Sequence, residues 1–179
     1  MTSVNYFEFF GLPVAFNIDE KLLKDKYYQN TRSYHPDHFG QEDSAKQAEM
    51  LEMSTLNNNA YKTLKDYYRR VHHILDLQGL VTEGDKHSLP PDFLMEMMDI
   101  NEALMEFELN PDQTMIAGLQ KQVEDLQTDI NGQLTETGIK FDAANDAEKQ
   151  TLLLKAKEIY HKRKYILRLI ETLHTFATP

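Results

Sequence analysis

Apolar residues recur at intervals of three and four along most of the chain, the spacing that lines one face of an α-helix. Leu23, Tyr27, Asn30 and Tyr34 share one side of a segment predicted to be helical over 20–34, with Asp19 as its N-cap. Met53, Leu56, Ala60 and Leu64 form a second stripe, which predicts a long helix opened by Asp43 or Ser44. Neither stripe can be buried by its own helix, so two such helices joined by a short loop are expected to pack antiparallel as a finger. Ahead of them, the cluster Tyr6-Phe7-Glu8-Phe9-Phe10 predicts a brief helix stopped by Gly11-Leu12-Pro13, with a role in the core.

Three more helical patterns follow, over 92–109, 112–136 and 145–176, with Asn110-Pro111 and Gly138 as the expected stops. Ile116, Leu119, Val123, Leu126 and Ile130 line the second, and Leu152, Ala156, Ile159, Ile166, Ile170 and Leu173 line the third. These are core stripes of a three-helix bundle. The first is different, because it carries two. Phe93, Met97, Ile100, Leu104 and Phe107 complete one apolar face, while Leu94, Met98 and Met105 form a second stripe roughly 100 to 120° away, bordered by Met95, Asp99, Glu102 and Glu106. A Met-rich stripe ringed by carboxylates is the composition of an adaptable protein-binding surface. The alternative is a wide face buried between two neighbours.

The Gly and Pro residues of 79–91 place a linker there, giving an expected first domain over 1–78 and a second over 92–179. A chain of 179 residues is comfortable for two modules of about 80 to 90 residues each. Only 7 Gly and 6 Pro leave few breaks, which makes the fold class all-α. The net charge of −10 argues against nucleic acid as a general partner, since phosphate binding needs a surplus of Lys and Arg. With no Cys, the chain offers no disulfide, thiol nucleophile or thiolate metal ligand. No apolar run reaches the length of a membrane span, and the N-terminal segment does not read as a signal peptide or a mitochondrial presequence.

Chemistry concentrates at Tyr34-His35-Pro36-Asp37-His38-Phe39. Pro36 lacks an N–H and pushes His35 out of the α region, so the helix is expected to end at Tyr34 and leave His35 and Asp37 projecting into solvent at the finger's tip. Lys21, Lys24, Tyr28 and Arg32 lie on the outer side of the preceding helix, a basic stripe in an acidic chain. His72, His73 and His87 surround the linker with no pattern that unites them, and packing or surface roles are expected for them.

The order of short helix, basic helix, His-Pro-Asp tripeptide and long helix resembles the J-domain of DnaJ-type co-chaperones. The ending Asn58-Asn59-Ala60-Tyr61-Lys62-Thr63-Leu64-Lys65-Asp66 with Arg70 and Ile74-Leu75 resembles the close of that module, and more narrowly Tyr6-Phe7 with Phe10-Gly11-Leu12-Pro13 and Phe93-Leu94-Met95-Glu96 are similar to the HscB family of iron–sulfur cluster assembly. The resemblance implies an N-terminal J-domain and a C-terminal three-helix client-binding bundle. It implies two partners, a DnaK-class ATPase (HscA-like) and an iron–sulfur scaffold protein (IscU-like), with ATP and Mg²⁺ held by the ATPase and no cofactor on this chain. Asp37 would offer its carboxylate to an Arg of the ATPase while His35 and Pro36 hold the loop, and Lys21, Lys24, Tyr28 and Arg32 would dock the module. Leu94, Met95, Met98, Asp99, Glu102 and Glu106 match the family's client-binding positions, and Met105 extends them. The expected compartment is a bacterial-type cytoplasm, or the mitochondrial matrix in a eukaryote.

Three positions depart from the family's pattern. Asn30 and Asn57 stand where aliphatic residues are usual, which leaves a flaw expected in core packing. Tyr67 stands where Pro often follows the Asp, so the long helix is expected to run on past it. Two other functions compete with the co-chaperone. A plain helical scaffold accounts for the bundle but not for the tip, the basic stripe and the second apolar stripe together. A metal-dependent hydrolase using His35, Asp37 and His38 needs two further histidines just upstream, where Arg32, Ser33 and Tyr34 stand.

Overall fold

The computed structural model describes residues 4–35, 37, 44–81 and 89–177. Within them the chain forms seven α-helices and no strand. It divides into two compact units, Met1–Thr82 and Glu83–Pro179.

In the first unit, α1 (Tyr6–Phe9) starts at Asn5, whose Oδ1 accepts from the backbone N–H groups of Phe7 and Glu8. It closes on Gly11 with φ +58°, where Gly11 N–H donates to Glu8 O and Leu12 N–H to Phe7 O, the bond pair of a Schellman motif. Phe7, Phe10, Leu12 and Phe16 are all buried, as the apolar cluster predicted. Helix α2 (Glu20–Ser33) is capped by Asp19, which accepts from Leu22 N–H at 2.9 Å. It lies antiparallel to α3 (Ser44–Lys65): Tyr27 stacks on Tyr61 with centroids 4.2 Å apart and donates to Asn58 Oδ1 at 2.9 Å, while Thr31 meets Asn57 one turn earlier on α3. Ser44 is the first residue of α3, and Asp43, the other expected cap, lies outside the described residues.

Asn57, expected to weaken the core, is fully buried there. Its Nδ2 donates to Tyr27 O at 3.2 Å and to Thr31 Oγ1 at 3.1 Å. Thr31 on the facing helix thus supplies what an aliphatic partner would not, a match for the amide nitrogen, while the buried Oδ1 has no hydrogen-bond partner among the described residues and keeps part of the expected flaw.

The expectation that the long helix runs past Tyr67 is overturned. Helix α3 stops at Lys65, and Asp66 adopts an extended conformation and caps α4 (Tyr67–Leu77) by accepting Arg69 N–H at 2.8 Å. The break does not need proline, because an Asp side chain offers a cap and the buried Arg70 fixes the corner. Its Nε donates to Phe16 O at 2.9 Å and its Nη1 to Leu64 O, and its guanidinium lies over the Tyr67 ring. Those bonds satisfy a carbonyl of the last turn of α3 that has no helical partner. Replacing Asp66 by Ala is therefore expected to cost about 1 kcal/mol of stability in this unit, measurable by chemical denaturation; an unchanged midpoint would mean that Arg70 alone makes the corner. Helix α4 ends on Gly79 (φ +65°), with Gly79 N–H donating to Asp76 O and Leu80 N–H to Leu75 O.

His73 ties α4 to α1. It is buried, its Nε2 accepts Tyr6 N–H at 3.2 Å, and its ring stacks on Tyr6 at 4.4 Å. Burial lowers its pKa below the ordinary histidine value of 6.5, with Asp76 opposing the shift and His72 adding to it. A depressed folded-state pKa means that the unfolded chain takes up the proton first. The stabilisation is then complete above the unfolded value and is lost as pH falls from that value through the lower folded one. Thermal melts should show the wild type losing more stability than His73→Gln between about pH 7 and pH 5; parallel pH profiles would remove His73 from the account.

The second unit is a three-helix arrangement of α5 (Pro91–Leu109), α6 (Gln113–Ala143) and α7 (Asp146–Ala177). Pro91 sits at the first helical position of α5, Asp112 caps α6 by accepting from Thr114 N–H at 2.7 Å, and Asn145 with Glu148 forms a capping box at the start of α7. Helices α6 and α7 make a long antiparallel hairpin, whose register is marked by Arg163 Nε donating to Asn131 Oδ1 at 2.9 Å. Phe93 packs edge-on against Tyr165 and Phe107 against Phe176, so α5 runs in the same direction as α7.

Gly138, expected to stop α6, does not. The helix continues through it to Ala143. Gly138 is buried, and the Asn131–Arg163 register places it opposite the fully buried Ala156 of α7. Two small residues let the helices approach closely, and burial of Phe141 beyond offsets the roughly 1 kcal/mol by which Gly disfavours a helix. The core stripes hold with exceptions: Leu126 of α6 is partly exposed, and in α7 Leu153 and Leu169 are buried while Leu152 and Ile170 are partly exposed.

Candidate functional site

The first unit presents a corner. Helix α2 ends at Ser33, Tyr34 leaves helical geometry at φ −104° and ψ 12°, and His35 N–H reaches back to Arg32 O at 3.5 Å. His35 and Asp37 are exposed, with side chains 51% and 87% accessible. Asp37 N–H donates to His35 Nδ1 at 3.3 Å, and Asp37 Oδ2 lies 3.5 Å from the same nitrogen. Pro36 and His38 lie outside the described residues, as does His87.

Leading to that corner, Lys21, Lys24, Tyr28 and Arg32 are all exposed on one face of α2. The cause is local: Leu23 at the opposite side is fully buried, and the 3.6-residue repeat turns these four away from it. Three cations on one face make a local positive surface despite the chain's overall negative charge.

The second unit presents a stripe. All five residues of the first apolar face of α5, Phe93, Met97, Ile100, Leu104 and Phe107, are buried. The second stripe lies in solvent: Leu94 is 40% exposed, Met95 62%, Met98 69% and Met105 66%. Asp99, Glu102 and Glu106 are exposed beside it. The alternative of a wide face buried between two neighbours does not hold, because α6 and α7 together cover only one side of α5. All seven predicted residues therefore share one continuous exposed helical surface.

Pattern reading missed the neighbours contributed by other helices. Lys162 of α7 lies over the Phe93 ring, 5.7 Å from its centroid, and is paired with Glu158 at 2.8 Å. On another side of α5, Glu96 borders a groove with Lys121, Gln122, Asp125 and Asp129 of α6. No periodicity within α5 signals either contact.

Among the described residues, no group of three His, Cys, Asp or Glu side chains is placed to hold a metal ion. No helix among them is long and apolar enough to cross a membrane.

A family model described as the HSCB C-terminal oligomerisation domain matches residues 89–174. The co-chaperone protein HscB homologue of Shewanella amazonensis is 34% identical over 133 residues, 73% of this chain and 76% of that protein. The HscB homologue of Vibrio cholerae (strain M66-2) is 37% identical over 102 residues, and this match spans 56% of the chain and 60% of the relative's length. Among solved structures, chaperone HscB from Vibrio cholerae superposes with a TM-score of 0.65 at 28% identity, covering 96% of each chain. The human co-chaperone protein HscB gives 0.71 at 27% identity, covering 99% of this chain and 84% of that one. With the sequence match to the Shewanella protein and the fold agreeing along nearly its whole length, the chain belongs to the HscB family of co-chaperones.

Proposed function

We propose that this protein is an adaptor in iron–sulfur cluster assembly: it stimulates the ATPase of a DnaK-class, HscA-like chaperone and delivers to it an IscU-like scaffold protein. The observation that carries the reading is the exposed second stripe of α5, with Met98 at 69% accessibility, in a helix whose other face already supplies a complete core. An apolar surface that folding leaves uncovered is accounted for by a protein that covers it.

In this reading the two units divide the work. The cations of α2 steer encounter with an acidic patch on the ATPase, and Asp37 then offers its carboxylate to an arginine there. ATP and Mg²⁺ belong to the ATPase, and this chain contributes neither a nucleophile nor a metal. The Met-rich stripe holds the scaffold, because Met side chains can fit an apolar surface without a rigid template. Joining both contacts in one chain raises the effective concentration of client at the ATPase, so each contact can be weak alone.

The test is a titration of the purified protein into a DnaK-class ATPase, with steady-state hydrolysis followed with and without the scaffold. Stimulation that the scaffold enhances is expected; hydrolysis indifferent to both proteins would reduce the chain to a helical scaffold. A narrower expectation concerns the basic face. Lys24→Glu with Arg32→Glu should weaken ATPase docking about tenfold at low salt and much less near physiological ionic strength. Client affinity, measured calorimetrically, should stay unchanged, and a matching loss there would show that the face is not reserved for the ATPase.

A further inference from the structure

Helix α7 carries a basic stripe on its outer side. Lys157, His161, Lys164 and Arg168 recur at intervals of four, three and four, so at 100° per residue they fall within about 60° of one another. Lys164 and Arg168 are exposed, and Lys157 and His161 partly so. Other cations of the same helix are taken up by packing: Lys162 pairs with Glu158 at 2.8 Å and lies over the Phe93 ring, and Arg163 Nε donates to Asn131 of α6. Among the described residues neither Lys164 nor Arg168 has a carboxylate partner.

Contacts between α5 and α7 place that stripe. Tyr165 packs on Phe93 and accepts a hydrogen bond from Asn101 Nδ2 at 3.2 Å, so the seam between the two helices runs along Asn101. Going round α5 from Asn101, away from the buried face, Leu94, Met105 and Met98 come first and the carboxylates of Glu102, Glu106 and Asp99 after them. Going round α7 from Tyr165, away from the core, His161, Arg168, Lys157 and Lys164 follow. Both stripes therefore look out on one side of the unit, which reads across as acidic, apolar and basic in turn. Glu158, beside the seam, is already paired with Lys162.

We propose that Lys164 and Arg168, supported by Lys157, are specificity-determining residues of the client surface. They select a protein whose apolar contact patch is bordered by cations on one side and by carboxylates on the other. The inference rests on the adaptor reading and adds to it the charge pattern and the orientation of the client. Axes of packed helices stand about 8 to 10 Å apart, so one patch can cover both stripes at once. A client turned by 180° on this face would set carboxylates against Asp99, Glu102 and Glu106 and cations against Lys164 and Arg168, and like charges brought together penalise that arrangement. A nucleic acid or an anionic membrane, negative throughout, meets the α5 carboxylates on the same face, whereas a protein can present both signs.

The test is calorimetric titration of an IscU-like scaffold into the full-length protein and into its Lys164→Glu, Arg168→Glu double variant, at low and at physiological ionic strength. The double reversal is expected to weaken binding about tenfold at low salt and less at physiological salt. Its melting temperature should stay unchanged, because both side chains are exposed. Replacing the exposed carboxylates of the scaffold by Lys, one at a time, should yield a scaffold variant that binds the double reversal better than the wild type does. Unchanged affinity of the double reversal, a loss that comes with a melting temperature lowered by several degrees, or the absence of any restoring charge swap would each overturn the inference while wild-type binding stands. A wild type that binds no scaffold would overturn the adaptor reading itself, and the inference with it.

Discussion

Asp37→Asn is expected to reduce ATPase stimulation by about 30-fold or more, because an exposed carboxylate that meets a cation only in the complex contributes roughly 2 kcal/mol or more through that pair. The substitution keeps the side chain's size and the Asp37 N–H that His35 accepts. It removes only the charge. With Asp37 87% exposed and no core contact at stake, the melting temperature and helical circular dichroism should barely change, since exposed substitutions usually stay within about 0.5 kcal/mol. Stimulation kinetics beside thermal melts make the comparison. A variant that loses stimulation together with several degrees of melting temperature would assign Asp37 a structural role and remove it from the proposed contact.

The second large effect belongs to α5. Truncating Leu94 and Met98 together to Ala removes apolar surface that lies in solvent in the free protein, so folding stability should change little. Affinity for the scaffold should fall by about 2 to 4 kcal/mol, the range for apolar anchors at the centre of an interface. Ile100→Ala, on the opposite face of the same helix and 1% exposed, is the contrasting case. It should cost about 2 to 5 kcal/mol of stability through lost burial and a cavity, while the folded fraction binds scaffold as before. Calorimetric titration and denaturation of both variants therefore read the two faces separately. If the double truncation lowers stability and leaves affinity intact, the client-surface reading fails.

Much of this was legible from spacing alone. The two stripes of α5 were separable because five residues at helical intervals already complete a face, so Leu94, Met98 and Met105 were surplus to a core. The orientation of Lys21, Lys24, Tyr28 and Arg32 followed from Leu23 for the same reason. Single-residue signals were less dependable where tertiary contacts outweighed them. Gly138 reads as a stop, but Ala156 across the hairpin makes a small residue useful there. Tyr67 reads as a licence for the helix to continue, yet Asp66 caps a new one and Arg70 holds the break by bonding the carbonyls of Phe16 and Leu64.

Asn57 marks the boundary between the two kinds of information. By itself it is a polar residue on a core stripe, and nothing local tells whether a donor or acceptor awaits it. Thr31 and the Tyr27 carbonyl on the antiparallel helix do, and they are brought there only when α2 and α3 pack. The same holds for His73, whose partner is the Tyr6 amide on the far side of the unit.

The sequence by itself determined that the chain is all-α, where most of its helices begin and which face most of them bury, because periodicity and capping act within a few residues of chain. Only the tertiary structure decided that the second stripe of α5 stays uncovered, that α3 and α4 are separate helices, and which nitrogen of His35 meets the Asp37 amide. Those outcomes depend on where a neighbouring helix or a turn of backbone places an atom, and hydrophobic burial sets that placement without recording it in any local pattern.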